Sequence, residues 1–311
     1  MKCVVTGGSG FIGSNIVEAL LKKDCKVTVI DNLSSGYKEN IIPYIEEKRI
    51  EFYEADVCEL SQIEKAFAGA DVVFHLAASV GRQKSIDNPQ SDSQTNLLGT
   101  VNVLEAMRKN SVRKIVYSSS AAIFGELISE IIKEDHPINP DSPYGVSKLA
   151  AEKMILAYCG LYDMVGVCLR YFNVYGKNQR YDAYGNVIPI FANRIFNDKA
   201  ITIYGDGTQT RDFVNVKDIV SANITAAFEV DRTDVFNVGS GSSISINKLA
   251  EMMKDITNSD VNIEYAPERI GDVKHCLADA HKINAVGFKT SIDLQEGLEE
   301  YLAWYRSLSN K

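Results

Sequence analysis

Thr6-Gly7-Gly8-Ser9-Gly10-Phe11-Ile12-Gly13 stands between a short apolar run, Cys3–Thr6, and an amphipathic stretch, Ile12–Lys22. A glycine triplet that leaves a strand and opens a helix is the kind of turn that holds a pyrophosphate. Gly7 permits the tight turn, Gly10 lets the backbone approach the phosphates, and Gly13 permits close packing of helix on strand. The phosphates then lie at the helix N-terminus, where unpaired N–H groups and the dipole favour anions. Glycine also serves ordinary turns, so context decides. The next apolar run, Val27–Ile30, ends at Asp31, 18 residues after Gly13. A carboxylate there can bind both hydroxyls of an adenosine ribose and would repel a 2′-phosphate, favouring NAD over NADP. Asp56-Val57, at the end of the third run, reads equally as a contact for the adenine edge or as an ordinary strand end.

Outward from this loop, β-branched runs alternate with helical patterns. The runs are Cys3–Thr6, Val27–Ile30, Glu51–Glu54, Val72–Leu76, Ile115–Ser118 and Val165–Tyr171; between them lie Ile12–Lys22, Ser61–Phe67, Leu97–Lys109 and Tyr144–Tyr158. Such alternation predicts an α/β fold, a doubly wound parallel sheet of Rossmann type covered on both faces. After Tyr171 the rhythm changes. Asn178–Gly185 is polar, Tyr204-Gly205-Asp206-Gly207 is dense in turn residues, Asp212–Val230 returns to strand-then-helix, and Val235–Val238 is a short apolar run. Leu249–Ile256, an extended Val261–Tyr265 and an amphipathic Leu294–Ser307 follow. The expected division is a dinucleotide-binding domain of residues 1–171 plus about 212–238. A smaller, discontinuous α/β substrate domain of about 172–211 plus 239–311 would cap the sheet's C-terminal edge.

With 33 Lys+Arg against 41 Asp+Glu, the 311-residue chain carries a net charge of −8. That balance speaks against a nucleic-acid or anionic-membrane partner, either of which needs a basic face. Hydrophobic residues at 45% and charged residues at 24% describe a folded globular protein. The six cysteines (Cys3, Cys25, Cys58, Cys159, Cys168 and Cys276) form no CxxC pair and stand at no zinc-ligand spacing with His. They read as small buried residues in a reducing compartment, and no signal-peptide pattern or run of about 18 apolar residues is seen, so a cytoplasmic location is expected. His75, His136, His275 and His281 make no metal pattern and are expected to be structural.

Tyr144-Gly145-Val146-Ser147-Lys148 places a phenol and an ammonium at i and i+4 on one helix face. A nearby cation favours phenolate and lowers a pKa that is about 10 when unperturbed. Such a tyrosine can take the proton of a substrate alcohol while hydride leaves the carbon. The spacing alone is weak, because Tyr44 and Lys48 match it with no strand or serine leading in. What separates Tyr144 is Ser118-Ser119-Ser120, just past the fifth run and hence at the sheet edge where ligands bind. Ser120 is placed to hydrogen-bond the same alcohol; alone, a serine run after a strand is more often turn chemistry.

These stretches together resemble the extended short-chain dehydrogenase/reductases of the NAD-dependent sugar epimerase/dehydratase family, nearest in their motifs to UDP-hexose 4-epimerases. The matching segments run in order along nearly the whole chain: TGGSGFIGSN (6–15), DNLSSG (31–36), DV (56–57), HLAA (75–78), NLLGT (96–100), SSSAAIFG (118–125), SPYGVSK (142–148), LRYFNVYG (169–176), GDGTQTRDFVNVKD (205–218) and ERIGDV (268–273). The resemblance implies Tyr144 as base, Lys148 as ligand of the nicotinamide ribose and tuner of Tyr144, and Ser120 against the reacting hydroxyl. It places Gly7, Gly10, Phe11, Ile12, Gly13, Asp31, Asn32, Ser35, Gly36, Asp56, Val57, Leu76, Ala77, Ala78 and Ser118 around NAD, with Asn96 and Tyr171 supporting cofactor or active site. On the substrate side it implies Asn173, Arg211 and Arg269 on a nucleotide diphosphate, Asp272 near the nucleotide ribose, Tyr204 at the base, and Val80 and Cys276 at the sugar. Two converging guanidiniums suit a diphosphate, since they form charge-assisted, often bidentate hydrogen bonds. A homodimer through a four-helix bundle of Leu97–Lys109 and Tyr144–Tyr158 is implied by the same analogy.

Dehydratases and decarboxylases of the family place an acid after the catalytic Ser/Thr, whereas this chain has Ala121-Ala122. The simpler reaction is therefore expected, a 4-epimerisation through a transient 4-keto sugar that interconverts UDP-glucose and UDP-galactose. Cys276, seven residues after Arg269, stands where family members restricted to unmodified hexoses carry a bulky Tyr. Its small size points to UDP-GlcNAc/UDP-GalNAc as further substrates; the plain alternative is a buried small hydrophobe. Rival readings are a UDP-glucuronate 4-epimerase, with Arg82 or Lys84 for the carboxylate, and a nucleotide-sugar 4,6-dehydratase. An NAD-sensing scaffold protein would have no use for Ser120, Tyr144 and Lys148 together.

Overall fold

The computed structural model describes residues 1–182, 185–268 and 274–309. Seven strands form the central sheet: β1 (Lys2–Thr6), β2 (Lys26–Asp31), β3 (Ile50–Glu54), β4 (Val72–His75), β5 (Lys114–Ser120), β6 (Val165–Tyr171) and β7 (Asp234–Val238). Their order is β7-β6-β5-β4-β1-β2-β3, and every neighbouring pair is parallel. Strand order reverses between β1 and β4, so the crevice at their C-terminal ends is the topological switch point where open α/β sheets bind ligands. The α/β, Rossmann-type expectation holds.

The sheet is buried on both faces because successive strand residues point to opposite sides. Val5, Val29, Phe74 and Val116 pack on one face against Ile16 and Leu20 of α1 (Phe11–Lys22) and Ile219 and Ala222 of α4 (Val216–Phe228). Their chain neighbours Val4, Ile30, Val73 and Ile115 pack on the other against Val103 and Met107 of α2 (Gly99–Lys109) and Ala151 and Ile155 of α3 (Pro143–Tyr162). A third apolar core gathers Ile188, Phe191, Ile203, Leu249, Met253, Leu298 and Tyr301. It is built from helices Val187–Phe196, Ile246–Thr257 and Leu294–Ser309 over the short strand Ile201–Tyr204. The helix Val187–Phe196 has no counterpart in the sequence reading, where the polar stretch before it hid its onset.

Two local features position the site. α3 begins cleanly: the Ser142 hydroxyl accepts the Gly145 N–H at 3.2 Å and Pro143 takes the first helical position. A Cβ on Gly145 would stand 2.5 Å from the Ala122 carbonyl oxygen, so the missing side chain lets this turn lie against Ala121–Ile123, directly after β5. The stretch expected as one helix from Leu97 instead starts as a π-turn, Gln94–Leu98, before α2. π-turns are frequent at functional sites, and this one carries Asn96.

Candidate active site

A cleft of about 720 Å³ runs along the C-terminal edge of the sheet, from the Gly7–Gly13 loop past Tyr144 to Arg211 and Cys276. At its first end the chain turns at Gly7 with φ +69°. α1 then starts so close that a Cβ on Gly13 would sit 2.1 Å from the Gly7 carbonyl oxygen. α1 has no side-chain cap and no acid in its first turn, leaving its N-terminal dipole to face an anion. Asp31 is buried, with one carboxylate oxygen accepting the Ser9 N–H and the other the Leu33 N–H, each at 2.8 Å. Burial pushes its carboxyl up, opposed by these backbone donors. Asn32 donates to Asp56 at 2.9 Å, joining the ends of β2 and β3 beside this loop. The glycine cradle, the uncapped helix start and the buried carboxylate at the end of β2 fit a dinucleotide.

Midway along the cleft the catalytic candidates meet. Ser120, Tyr144 and Lys148 line the cleft together, and the Ser120 hydroxyl accepts the Ala122 N–H at 3.1 Å. Burial pushes the Tyr144 phenol up, the Ser120 hydroxyl pulls it down, and the Asp92 carboxylate pushes it up again. Lys148 is only 2% exposed, and its ammonium lies 4.4 Å from the centre of the Tyr117 ring. Burial pushes that ammonium down to about 7, against the opposing pull of the Asp92, Cys168 and Glu152 groups. Within the protein chain this cation rests on the Tyr117 ring. Tyr44 and Lys48 form no such pair: Lys48 has φ +54° beyond the short helix Ile42–Glu46, and neither lines the cleft.

The sequence reading missed what lies beneath this pair. Asp92, 1% exposed, accepts from the Ser147 hydroxyl at 2.5 Å and from Asn96 Nδ2 at 3.1 Å. Asn96 Nδ2 also reaches Ser147 Oγ at 3.0 Å, and Asn96 clamps Ser79 through its N–H (2.8 Å) and carbonyl (3.0 Å). Asn96 therefore supports the site from below rather than lining it. A second buried network links β5 to α3: Ser119 donates to Glu152 at 2.8 Å, and Arg170 pairs with Glu152 at 2.7 Å. The only sign of either network in the sequence was a carboxylate at helical spacing on a helix face, a pattern that most surface helices share. His75 is buried between Thr6 and Thr100 hydroxyls; burial drives its imidazole down to about 3, so it stays neutral beside Lys148. Tyr171 lines the cleft and exchanges hydrogen bonds with Asn223.

At the far end, Asn173, Arg211, Val80 and Cys276 line the cleft together with Ala121 and Ala122. Asp212, fully buried, accepts four bonds, from Ser240 N and Oγ, Gly241 N and Ala278 N, and so fixes the strand that carries Arg211. The Cys276 thiol is raised to about 12 by burial and pulled back by Arg211, which places the two in one electrostatic neighbourhood. The expected NAD-side residues Gly7, Gly10, Phe11, Ile12, Gly13, Asp31, Asn32, Ser35, Gly36, Asp56, Val57, Leu76, Ala77, Ala78 and Ser118 all line this one cleft. Tyr204 is the exposed last residue of the strand Ile201–Tyr204 and is not among the described lining residues. Arg269 and Asp272 lie outside the described residues. Among the described residues no three His, Cys, Asp or Glu side chains converge as metal ligands, and no helix is long and apolar enough to cross a membrane.

A switch-point cleft with a glycine cradle and a Ser–Tyr–Lys cluster defines a dinucleotide-dependent enzyme of the short-chain dehydrogenase/reductase type. The model of the NAD dependent epimerase/dehydratase family matches residues 3–239, and the chain belongs to that family. A UDP-glucose 4-epimerase of Mycolicibacterium smegmatis is 34% identical over 313 residues, covering 99% of this chain and 100% of that protein. Among solved structures, the UDP-N-acetylglucosamine 4-epimerase of Methanobrevibacter ruminantium M1, in complex with UDP-N-acetylmuramic acid, is 40% identical at a TM-score of 0.94, covering 99% and 98% of the two chains. The UDP-glucose 4-epimerase of Thermus thermophilus, in complex with NAD, is 34% identical at a TM-score of 0.90, covering 98% and 99%. The enzyme is NAD-dependent.

Proposed function

We propose that this protein is a UDP-sugar 4-epimerase acting on UDP-glucose/UDP-galactose and on UDP-GlcNAc/UDP-GalNAc. The observation that carries the reading is the convergence of Ser120, Tyr144 and Lys148 at the sheet edge, in one cleft with the glycine cradle at one end and Asn173 and Arg211 at the other. NAD, when bound, supplies a hydride acceptor that later returns what it took. Tyr144, assisted by Ser120, takes the proton of the sugar's C4 hydroxyl and gives it back once the 4-keto sugar has turned over. Lys148 would hold the nicotinamide ribose; Leu76, Ala77, Ala78 and Tyr171 would wall the cofactor, and Asp56 and Val57 would meet its adenine. Asn173, Arg211 and Arg269 grip the diphosphate, with Asp272 and Tyr204 on the nucleoside, so the hexose stays free to rotate.

Ala121 and Ala122 line the cleft where an elimination would need a proton donor, which disfavours the 4,6-dehydratase. Arg82, the cation a uronic acid would seek, is paired with Asp141 at 3.1 Å. A domain division with Asp234–Val238 in the dinucleotide-binding part agrees with the separate apolar core around Leu249 and Leu298. Exposed Leu98, Val146, Leu161 and Tyr162 on or beside α2 and α3 support a homodimer through these helices, and six free cysteines suit the cytoplasm. The test is NMR on purified protein, without added cofactor, given UDP-Glc, UDP-GlcNAc and UDP-GlcA. Inversion at C4 in the first two is expected, with Cys276→Tyr losing UDP-GlcNAc and keeping UDP-Glc. A 4-keto-6-deoxy product, or conversion of UDP-GlcA alone, overturns the reading.

A further inference from the structure

The segment that leaves the short strand Asn173–Tyr175 is pinned across α1. Asn15 donates to the Lys177 carbonyl at 2.9 Å, Asn178 donates to the Ser14 hydroxyl at 2.9 Å, and the Lys177 ammonium lies 3.4 Å from Glu18. From the third apolar core, the Tyr301 hydroxyl donates to the Gln179 carbonyl at 3.0 Å. Residues 177–179 are therefore held on both sides, and Arg180 comes next. Its guanidinium stands 3.8 Å from the centre of the Tyr37 ring. Tyr37 follows Gly36, and its N–H donates to the Ser9 carbonyl of the glycine loop at 3.0 Å.

Arg180, Gly36 and Gly10 line one cleft. Arg180 Nε is buried with no hydrogen-bond partner, while the Glu39 carboxylate is 4.0 Å away at Nη2. An N–H donor withdrawn from water without an acceptor is costly and is normally satisfied, although the side chain as a whole keeps 28% exposure. A planar fork fixed on an aromatic face is suited to a phosphate, which it meets through charge-assisted hydrogen bonds. The adjoining α1 N-terminus, with neither cap nor acid, attracts the same chemistry.

We propose that Arg180 binds the diphosphate of the dinucleotide, completing the grip that the α1 N-terminus begins, with Tyr37 as the platform that fixes its guanidinium plane. The proposal rests on the NAD-binding reading of the cleft. Epimerisation ends with no net redox change, so the cofactor needs no exchange between turnovers, and a donor supplied from outside the sheet slows its release. The buried Asp31 carboxylate beside Gly36 makes a 2′-phosphate the wrong anion for the same arginine.

The test compares wild type, Arg180→Ala, Arg180→Lys and Tyr37→Leu. The readouts are the NAD that co-purifies, the Kd values for NAD, ADP and NADP by calorimetry, and the unliganded thermal midpoint. Arg180→Ala should weaken NAD and ADP alike by at least about tenfold, as expected for one charge-assisted contact. Arg180→Lys should recover part of the loss, and Tyr37→Leu should shift both in the same direction by less, all with an unchanged midpoint. Unchanged NAD and ADP affinity in Arg180→Ala, or a loss confined to NADP, overturns the proposal alone. A wild type that binds no dinucleotide overturns the NAD-binding reading and this proposal with it.

Discussion

Lys148 holds its ammonium 4.4 Å from the centre of the Tyr117 ring, buried on the underside of the cleft that Tyr144 lines. A cation so placed is stabilised by the ring's negative face, yet burial still brings its ammonium down to about 7. Its charge at neutral pH therefore depends on nearby carboxylates, of which Asp92 has the largest effect.

Asp92→Asn tests that dependence. The Asp92 charge raises both the Lys148 ammonium and the Tyr144 phenol. Removing it lowers both, so the loss of activity tied to the Lys148 charge should begin at a lower pH than in wild type. Above the Lys148 transition the variant should be slower than wild type by more than it is below that transition. A uniform loss at every pH would mean that Asp92 only packs.

Tyr144→Phe removes the proton acceptor and keeps the ring. Turnover should fall by about 10²–10⁴-fold, the usual contribution of a positioned acid–base group. Co-purifying NAD should stay at the wild-type level, because the cradle around Gly7 and Asp31 is untouched. Near-normal turnover would remove Tyr144 from the chemistry.

Arg170→Ala leaves Glu152 buried without its partner. The pair is 3% and 0% exposed at 2.7 Å. Breaking one side of such a pair costs roughly 3–5 kcal/mol, which urea unfolding would measure. A loss below about 1 kcal/mol, the size of a surface pair, would show that Glu152 finds other donors.

On the proposed reading, Asp31 sets the choice of dinucleotide. Juxtaposing a 2′-phosphate with this carboxylate costs several kcal/mol, so wild type should bind NAD at least about 100-fold more tightly than NADP. Asp31→Asn should narrow the gap. Equal or tighter binding of NADP by wild type contradicts the assignment.

The sheet and the dinucleotide end of the cleft were legible because their signals are local. Gly7, Gly13 and Asp31 act through backbone turns and strand ends, which spacing reports directly. The convergence of Ser120 with Tyr144 was legible by the position of Ser120 at a strand end. Asp92, Glu152 and Arg170 were not, because each is buried only through contacts remote in sequence: Asp92 with Ser147, Arg170 with Glu152. Periodicity cannot distinguish a buried carboxylate from a solvated one. Arg180 escaped for a related reason, since its partner Tyr37 lies far up the chain in another element.

The central claim is that hydrogen leaves C4 as hydride and returns to the same carbon while Tyr144 handles only the proton. Incubating the enzyme with UDP-glucose deuterated at C4, in ordinary water, tests it directly. UDP-galactose that retains the deuterium at C4 is expected; product carrying solvent hydrogen there would rule out hydride return to that carbon.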